Sequence, residues 1–319
     1  MFGLLSKILG NGSKPAARRH RKTSDTSFKP RFEVLEDRRL ATASGLISSV
    51  AGTHYGYPAD PVEFAIATDH SMVEYYSNGL VTNRGGNWTK VSAGLDSAGW
   101  PVCYAMAPDH TCWLFDHLSH WNNLGGSVID ISGTENNEVY AIGWDHSLWA
   151  NNAYRNWYGL GGYVIQISAA KDAYGADECF GLGWDYTLWL CDRGGWHGFG
   201  GYVTQLSGTD HNEVFAIAGD HEAWVHNSYG WYNLGGYVLQ ISAGVDLSGR
   251  DELFAIGGDH SLYVDNASGW HHLSLGYAGG SFTDIAACGV DTCYAVDPTH
   301  VGWVHDSTGW HYQYGPPIL

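Results

Sequence analysis

The stretch Asn212–Ser242, NEVFAIAGDHEAWVHNSYGWYNLGGYVLQIS, holds every element that the chain repeats. An apolar run, Val214 to Ile217, leads into a tight Asp220-His221 turn. An aromatic at Trp224, a Gly230-Trp231 step, Leu234-Gly235-Gly236 and a second apolar run ending in Ile241-Ser242 follow. Nearly the same text recurs at Asn137–Ser168 and at Asp251–Gly276. A period of about 40 residues marks a repeat architecture, and it governs every local assignment.

The turn dipeptide gives the count. It occurs at Asp69-His70, Asp109-His110, Asp145-His146, Asp185-Tyr186, Asp220-His221 and Asp259-His260, and in degenerate form at Thr299-His300. These are seven units with steps of 40, 36, 40, 35, 39 and 40 residues. A second marker is Trp88, Trp121, Trp157, Trp196, Trp231, Trp270 and Trp310. It follows the turn by 11 or 12 residues except in the first unit, where the gap is 19 and the unit reads as irregular.

Each unit divides into four short pieces, which in the fifth unit begin near Val203, Val214, Ala223 and Trp231. They are rich in β-branched and aromatic residues and punctuated by Gly, Asn and Asp, the pattern of strands rather than helices. The run Val214-Phe215-Ala216-Ile217 is apolar on both faces, as a strand covered on both sides must be. Four strands per unit and seven units predict an all-β chain, a seven-bladed β-propeller of four-stranded antiparallel blades over residues 44–319. The loop between the first two strands is short in units three and five and long in units two, four and six, which suggests growth by duplication of blade pairs. How the ring closes is not readable, and a blade shared between the termini stays open.

Residues 1–43 read as a disordered basic tail. Residues 1–41 carry ten Lys/Arg and four Asp/Glu, whereas residues 42–319 carry six Lys/Arg and 29 Asp/Glu. A body that acidic repels phosphate backbones, so nucleic acid is not an expected partner. No apolar run is long enough for a transmembrane helix. The segment Phe32–Ala41 resembles the Leu-Glu-x-Arg-x-Leu-Leu segment near the start of many exported bacterial proteins, with Leu35, Glu36, Arg38 and Leu40 matching. The resemblance implies export to the cell envelope or beyond.

The six cysteines fall as pairs in three units: Cys103 and Cys112, Cys179 and Cys191, Cys288 and Cys293. Disulfides inside blades and buried free thiols both fit that grouping.

Two sets of residues could carry chemistry. The turn residues Asp109, His110, Asp145, His146, Asp220, His221, Asp259 and His260 combine carboxylate and imidazole. Turn formation is the favoured account of the Asp, because Asp hydrogen-bonds its own backbone in tight turns. Equivalent turns on separate blades also do not converge as metal ligands must, so no metal or other cofactor is expected. The aromatics four residues after the turn Asp, namely Trp113, Trp149, Trp189, Trp224, Tyr263 and Trp303, sit beside Asp, His and Asn. An apolar face with fixed polar groups is what a pyranose needs. The Gly-Trp set reads as packing between blades. No close carboxylate dyad, nucleophile elbow or zinc-protease motif is visible, so no catalysis is expected. Repeated sites suit binding by avidity.

The elements E-V-F-A-I-x-x-D-H-x-x-W, G-W-x-x-L-G-G and Q-I-S resemble tectonin-type propellers. They also resemble the bacterial seven-bladed propeller lectins that bind fucose and O-methylated sugars between blades. That resemblance, over about residues 46–315, implies a multivalent lectin-like protein with glycans or cell-surface polysaccharide as partners. The alternative is a cell-envelope scaffold that binds envelope proteins and no small ligand.

Overall fold

The computed structural model describes residues 47–50, 53–54, 57–58, 62–76, 80–134, 136–152, 156–209, 212–246, 248–274, 280–287 and 291–313, with side chains from Val62 onward. The expected disordered tail and the export-like segment lie outside the described residues.

In the fifth blade the strands are Val203–Gly208, Val214–Ala218, Ala223–Asn227 and Gly230–Gly235. They pair antiparallel in sequence order. Six other four-stranded sheets repeat this order, so the predicted seven-bladed, all-β propeller is the fold. Every blade is one continuous piece of chain, from Ile47–Val50 in the first to Gly309–Tyr312 in the last. No blade is shared between the ends. The first strand of each blade neighbours the first strands on either side, and Ile47–Val50 meets both Lys90–Leu95 and Asp284–Ala287. These strands therefore surround the axis and the ring closes.

The hydrophobic core lies between the sheets. Seven buried clusters each join two adjacent blades, including Ala65, Val73 and Tyr75 of the first with Ala286, Tyr294 and Val296 of the last. This is why second strands such as Val214–Ile217 are buried throughout. A blade alone would leave both faces in water, and closure is its only route to a core.

Two polar devices fix the blades to one another. The Ser that ends Q-I-S, or its counterpart in K-V-S, D-I-S and Q-L-S, accepts an amide from the next blade: Gly133 N–H to Ser92 Oγ at 2.9 Å, Ala169 to Ser132 at 2.8 Å, Gly208 to Ser168 at 2.9 Å, Ala243 to Ser207 at 2.9 Å and Ala287 to Ser242 at 2.8 Å. The Gly-Trp indoles are wedges, as expected. Trp157, Trp196, Trp231 and Trp270 donate Nε1–H to the carbonyls of Leu124, Leu160, Phe199 and Leu234 of the preceding blade at 2.9–3.0 Å. The second Gly of Leu-Gly-Gly makes room for the ring. Gly162 has φ +76°, and a Cβ there would stand 2.5 Å from the Trp196 ring.

The structure corrects the reading of the first unit. Trp88 is not its Gly-Trp wedge. The partner of Phe115 in the second blade is Trp121, and the corresponding partner of Tyr75 in the first is Val81. Trp88 instead opens the second blade, donating its backbone N–H to the His70 carbonyl as Val128 does to His110. It stacks on Trp121 at 4.2 Å between centroids. The gap of 19 residues came from substitution at both places, not from an irregular blade.

Cys103, Cys112, Cys179 and Cys191 are buried free thiols, Cys293 is buried, and Cys288 lies outside the described residues. Cys103 faces Phe115 and Cys112 faces Met106, so that pair does not meet across its strands. Cys179 does face Cys191. Burial pushes the Cys191 thiol up to about 11 and that of Cys112 to about 12.

Candidate functional site

The Asp-His turns lie on one face of the disc, with the links that lead from each fourth strand to the next blade. In the second blade His110 N–H returns to the Ala107 carbonyl at 2.9 Å. Asp109 Oδ1 accepts the Thr111 N–H at 3.0 Å and its hydroxyl at 2.7 Å. Asp145 does the same with Ser147, at 3.1 and 2.6 Å. Asp220 accepts the Glu222 N–H, and Asp259 that of Ser261. The hydroxyl bond, then the amide bond, hold Asp109 and Asp145 below the usual carboxylate range. They stay charged.

The residue after Asp is left-handed in each turn: φ is 66° at His110, 62° at His146, 64° at Tyr186, 67° at His221 and 63° at His260. This is the bulge position of a short hairpin, where Gly or Asn is usual and a non-Gly residue needs a reason. The turn residue latches onto the next blade through its carbonyl, as any residue could, and in His110 and His146 through the imidazole as well. The carbonyls of His110, His146, His221 and His260 accept the N–H of Val128, Val164, Val238 and Phe282, the leading residues of the next blades, each at 2.9 Å. The His110 ring adds Nδ1 at 3.0 Å from the Val128 carbonyl. These turns form structure, as the turn reading expects, and they also couple blades. They do not converge: among the described residues no group of three or more His, Cys, Asp or Glu is placed to hold a metal ion.

The aromatics after the turn lie flat on their own blades. Trp149 spans Gly143 and Gly159, and Trp189 spans Gly183 and Gly198; glycine leaves the sheet bare enough for the ring to rest on it. Their indole N–H groups donate to the turn hydroxyls: Trp113 to Thr111 at 2.9 Å, Trp149 to Ser147 at 2.7 Å and Trp189 to Thr187 at 2.7 Å. Each hydroxyl of this relay donates in turn to the Asp. Tyr263 reaches Asp259 directly at 2.9 Å and Trp303 reaches Asp297 at 3.1 Å, whereas the buried Trp224 N–H has no partner among the described residues. The rings are half-buried, and Trp189 is 37% exposed. They are neither fully sealed nor freely presented. One gap between the fifth and sixth blades is roomier, a cavity of about 680 Å³ lined by Tyr237, Gly257, Gly258, Asp259, Tyr263 and Trp270.

Two features were missed in the sequence. The first is a run of exposed aromatics across consecutive blades on the turn face: Trp144 (60% exposed), Tyr163 (52%), Trp184 (67%) and Tyr237 (57%). They lean on the latch residues, with Trp144 at 4.7 Å from His110, Tyr163 at 4.8 Å from His146 and Tyr237 at 4.7 Å from His221. Tyr202 completes the run at 5.0 Å from Tyr186. The G-W-D-[HY] and G-G-Y motifs carried that signal. The second is a set of buried carboxylates near the opposite face. Glu178 and Glu252 are almost fully buried, and burial pushes each up to about 7. Burial raises Asp177 to about 6 even though Asn136 donates to it. The axis carries a further polar ring, with Lys90 paired to Asp130, Gln240 donating to Asp284, and Gln205 exchanging two bonds with the Ile241 main chain.

No family model and no curated protein matches the chain. Solved structures do. Yeast RCC1 (Prp20), solved with Kap60 bound to it, aligns with TM-score 0.55 and 11% identity over 92% of this chain and 86% of that one. YCF48 bound to D1 peptide gives 0.54 and 12% over 80% and 90%. Virginiamycin B lyase from Staphylococcus aureus gives 0.57 and 9% over 81% and 90% or more, namely 93%, of its length. At such identities the likeness is one of fold: this chain is a β-propeller built of internal repeats.

Proposed function

We propose that this propeller is a non-catalytic docking platform that binds another polypeptide on its Asp-His turn face. One observation carries the reading: four exposed aromatic side chains, Trp144, Tyr163, Trp184 and Tyr237, run across consecutive blades of that face. Exposed aromatics gathered in one place mark interaction surfaces, because each offers a large contact area at small entropic cost. The neighbours solved with Kap60 and with D1 peptide support a protein-binding role for the same architecture. The repeated carboxylates supply no asymmetric constellation for turnover.

The test is site-specific crosslinking in the source cells, with a photoreactive phenylalanine at position 144 or, on the opposite face, at position 174. Tyr174 is 96% exposed and so equally accessible. Adducts to a polypeptide from position 144 and not from 174 are expected. Equal labelling from both, or none from 144, overturns the reading.

A second reading is favoured by the cavity beneath Tyr237. Tyr263, Trp270 and Asp259 there offer aromatic faces and an acceptor of the kind a sugar uses. Binding on a glycan array that Tyr263→Ala abolishes would establish it; an array without binders removes it. Export to the cell envelope is proposed from the Phe32–Ala41 resemblance, and fractionation of source cells tests it.

A further inference from the structure

We propose that the segment docking on the turn face is cationic, a stretch of polypeptide rich in Arg and Lys. This deepens the docking reading and rests on it. The aromatic run is interleaved with carboxylates, one per blade: Asp109, Asp145, Asp185, Asp220 and Asp259 are all exposed. Nothing of opposite charge offsets them. The seven turns and the links to the following blades contain not one Lys or Arg.

Among the described residues, the cations of the body stand outside these turns and links. Lys90 is buried against Asp130 at the axis, Arg84 is paired with Glu74, and Arg250 is paired with Asp246 in a loop of the opposite face. Lys171 and Arg193 also belong to hairpins that open on that opposite face. The turn face thus combines ring faces, which attract guanidinium and ammonium groups, with a uniform negative field. Hydrogen bonds from Thr111 and Ser147 hold the Asp109 and Asp145 carboxyls below their usual range, so both are ionised throughout the physiological range. The carboxylates are distributed around the ring rather than gathered, so they suit a chain with charges along its length and not a point cation. An anionic partner, nucleic acid included, would be repelled.

The experiment uses the full chain and a fluorescein-labelled nona-arginine peptide, with nona-glutamate as the reverse-charge probe, read by anisotropy at low and raised salt. Asp145→Asn/Asp185→Asn/Asp220→Asn keeps the side-chain oxygen that closes each turn and removes three charges. Trp144→Ala/Trp184→Ala removes two exposed rings. Thermal melts confirm that each variant folds. Each is expected to weaken nona-arginine binding, the aromatic pair by about fivefold and the charge triple by about tenfold, with a shallower salt dependence for the triple.

Asp172→Asn/Asp246→Asn on the opposite face is expected to change affinity less than twofold. Equal losses from the two faces would mean that bulk charge alone binds the peptide, and would overturn the proposal. So would an aromatic pair without effect. If crosslinks from position 144 map to a neutral or acidic segment, the cationic inference fails and the docking reading stands. If position 144 yields no crosslink, both fall.

Discussion

Replacing Glu252 by Gln should stabilise the protein at pH 8 and leave it unchanged near pH 4.5. Glu252 is 0% exposed, and neither carboxylate oxygen accepts a hydrogen bond among the described residues. Its charged neighbours are Asp291 and Asp246, both of the same sign. Burial first, and those carboxylates second, push it from its ordinary 4.5 up to about 7. The unfolded chain releases this proton near pH 4.5 and the folded chain holds it to about 7. Between those values the folded state binds more protons, so unfolding free energy falls as pH rises.

The gap between 4.5 and about 7 corresponds to at most about 3 kcal/mol. Local rearrangement around the ionised carboxylate lessens that penalty, which leaves about 1–2 kcal/mol. Gln keeps the shape and cannot ionise. Urea unfolding of both proteins at pH 4.5, 6 and 8, followed by tryptophan fluorescence, should show a variant advantage that grows from near zero to about 1–2 kcal/mol. Relief of the general acidic repulsion would not grow across this window in that way. An equal shift at all three pH values, or a less stable variant at pH 8, would refute the reasoning. Glu178→Gln should behave alike, since burial and then Asp172 raise Glu178 to the same value.

Gly162→Ala forces a Cβ to within 2.5 Å of the Trp196 ring at φ +76° and should cost about 2–4 kcal/mol. Gly175→Ala, at φ +78° with nothing within 4 Å, should cost only about 1–2 kcal/mol; calorimetric midpoints check both. Ser207→Ala deprives the Ala243 amide of its acceptor and should lower stability by about 1–2 kcal/mol in urea. Trp196→Phe keeps most of the wedge and loses the bond to the Leu160 carbonyl, at a cost of about 1 kcal/mol by the same assay. The thiols of Cys112 and Cys191 should resist maleimide at pH 7.5 until the protein is unfolded, because burial holds them near 12 and 11.

The candidate site was only half legible. Asp109, Asp145 and their equivalents were readable as turn formers because a carboxylate bonding two residues ahead is a local event. The outer role of His110 was not, since its carbonyl closes on Val128 of another blade. Trp149 and Trp189 could be placed at one repeated position, but their degree of cover depends on where neighbouring sheets stop. Trp144 and Trp184 occur in only two of the turns, and a search for what repeats passes over them.

The sequence alone settled the number of blades, the four antiparallel strands in each and, for the fifth blade, roughly where those strands begin. Those are consequences of short-range alternation and of a period that any copy displays. The tertiary structure decided the rest. It assigned the first-unit wedge position to Val81 rather than Trp88, closed the ring without sharing a blade, and left Cys103 and Cys112 facing other partners. It also put a row of exposed aromatics and exposed carboxylates on one face. Each of these depends on what a residue meets across a blade boundary, and that meeting is fixed by closure of the whole ring, not by the neighbours along the chain.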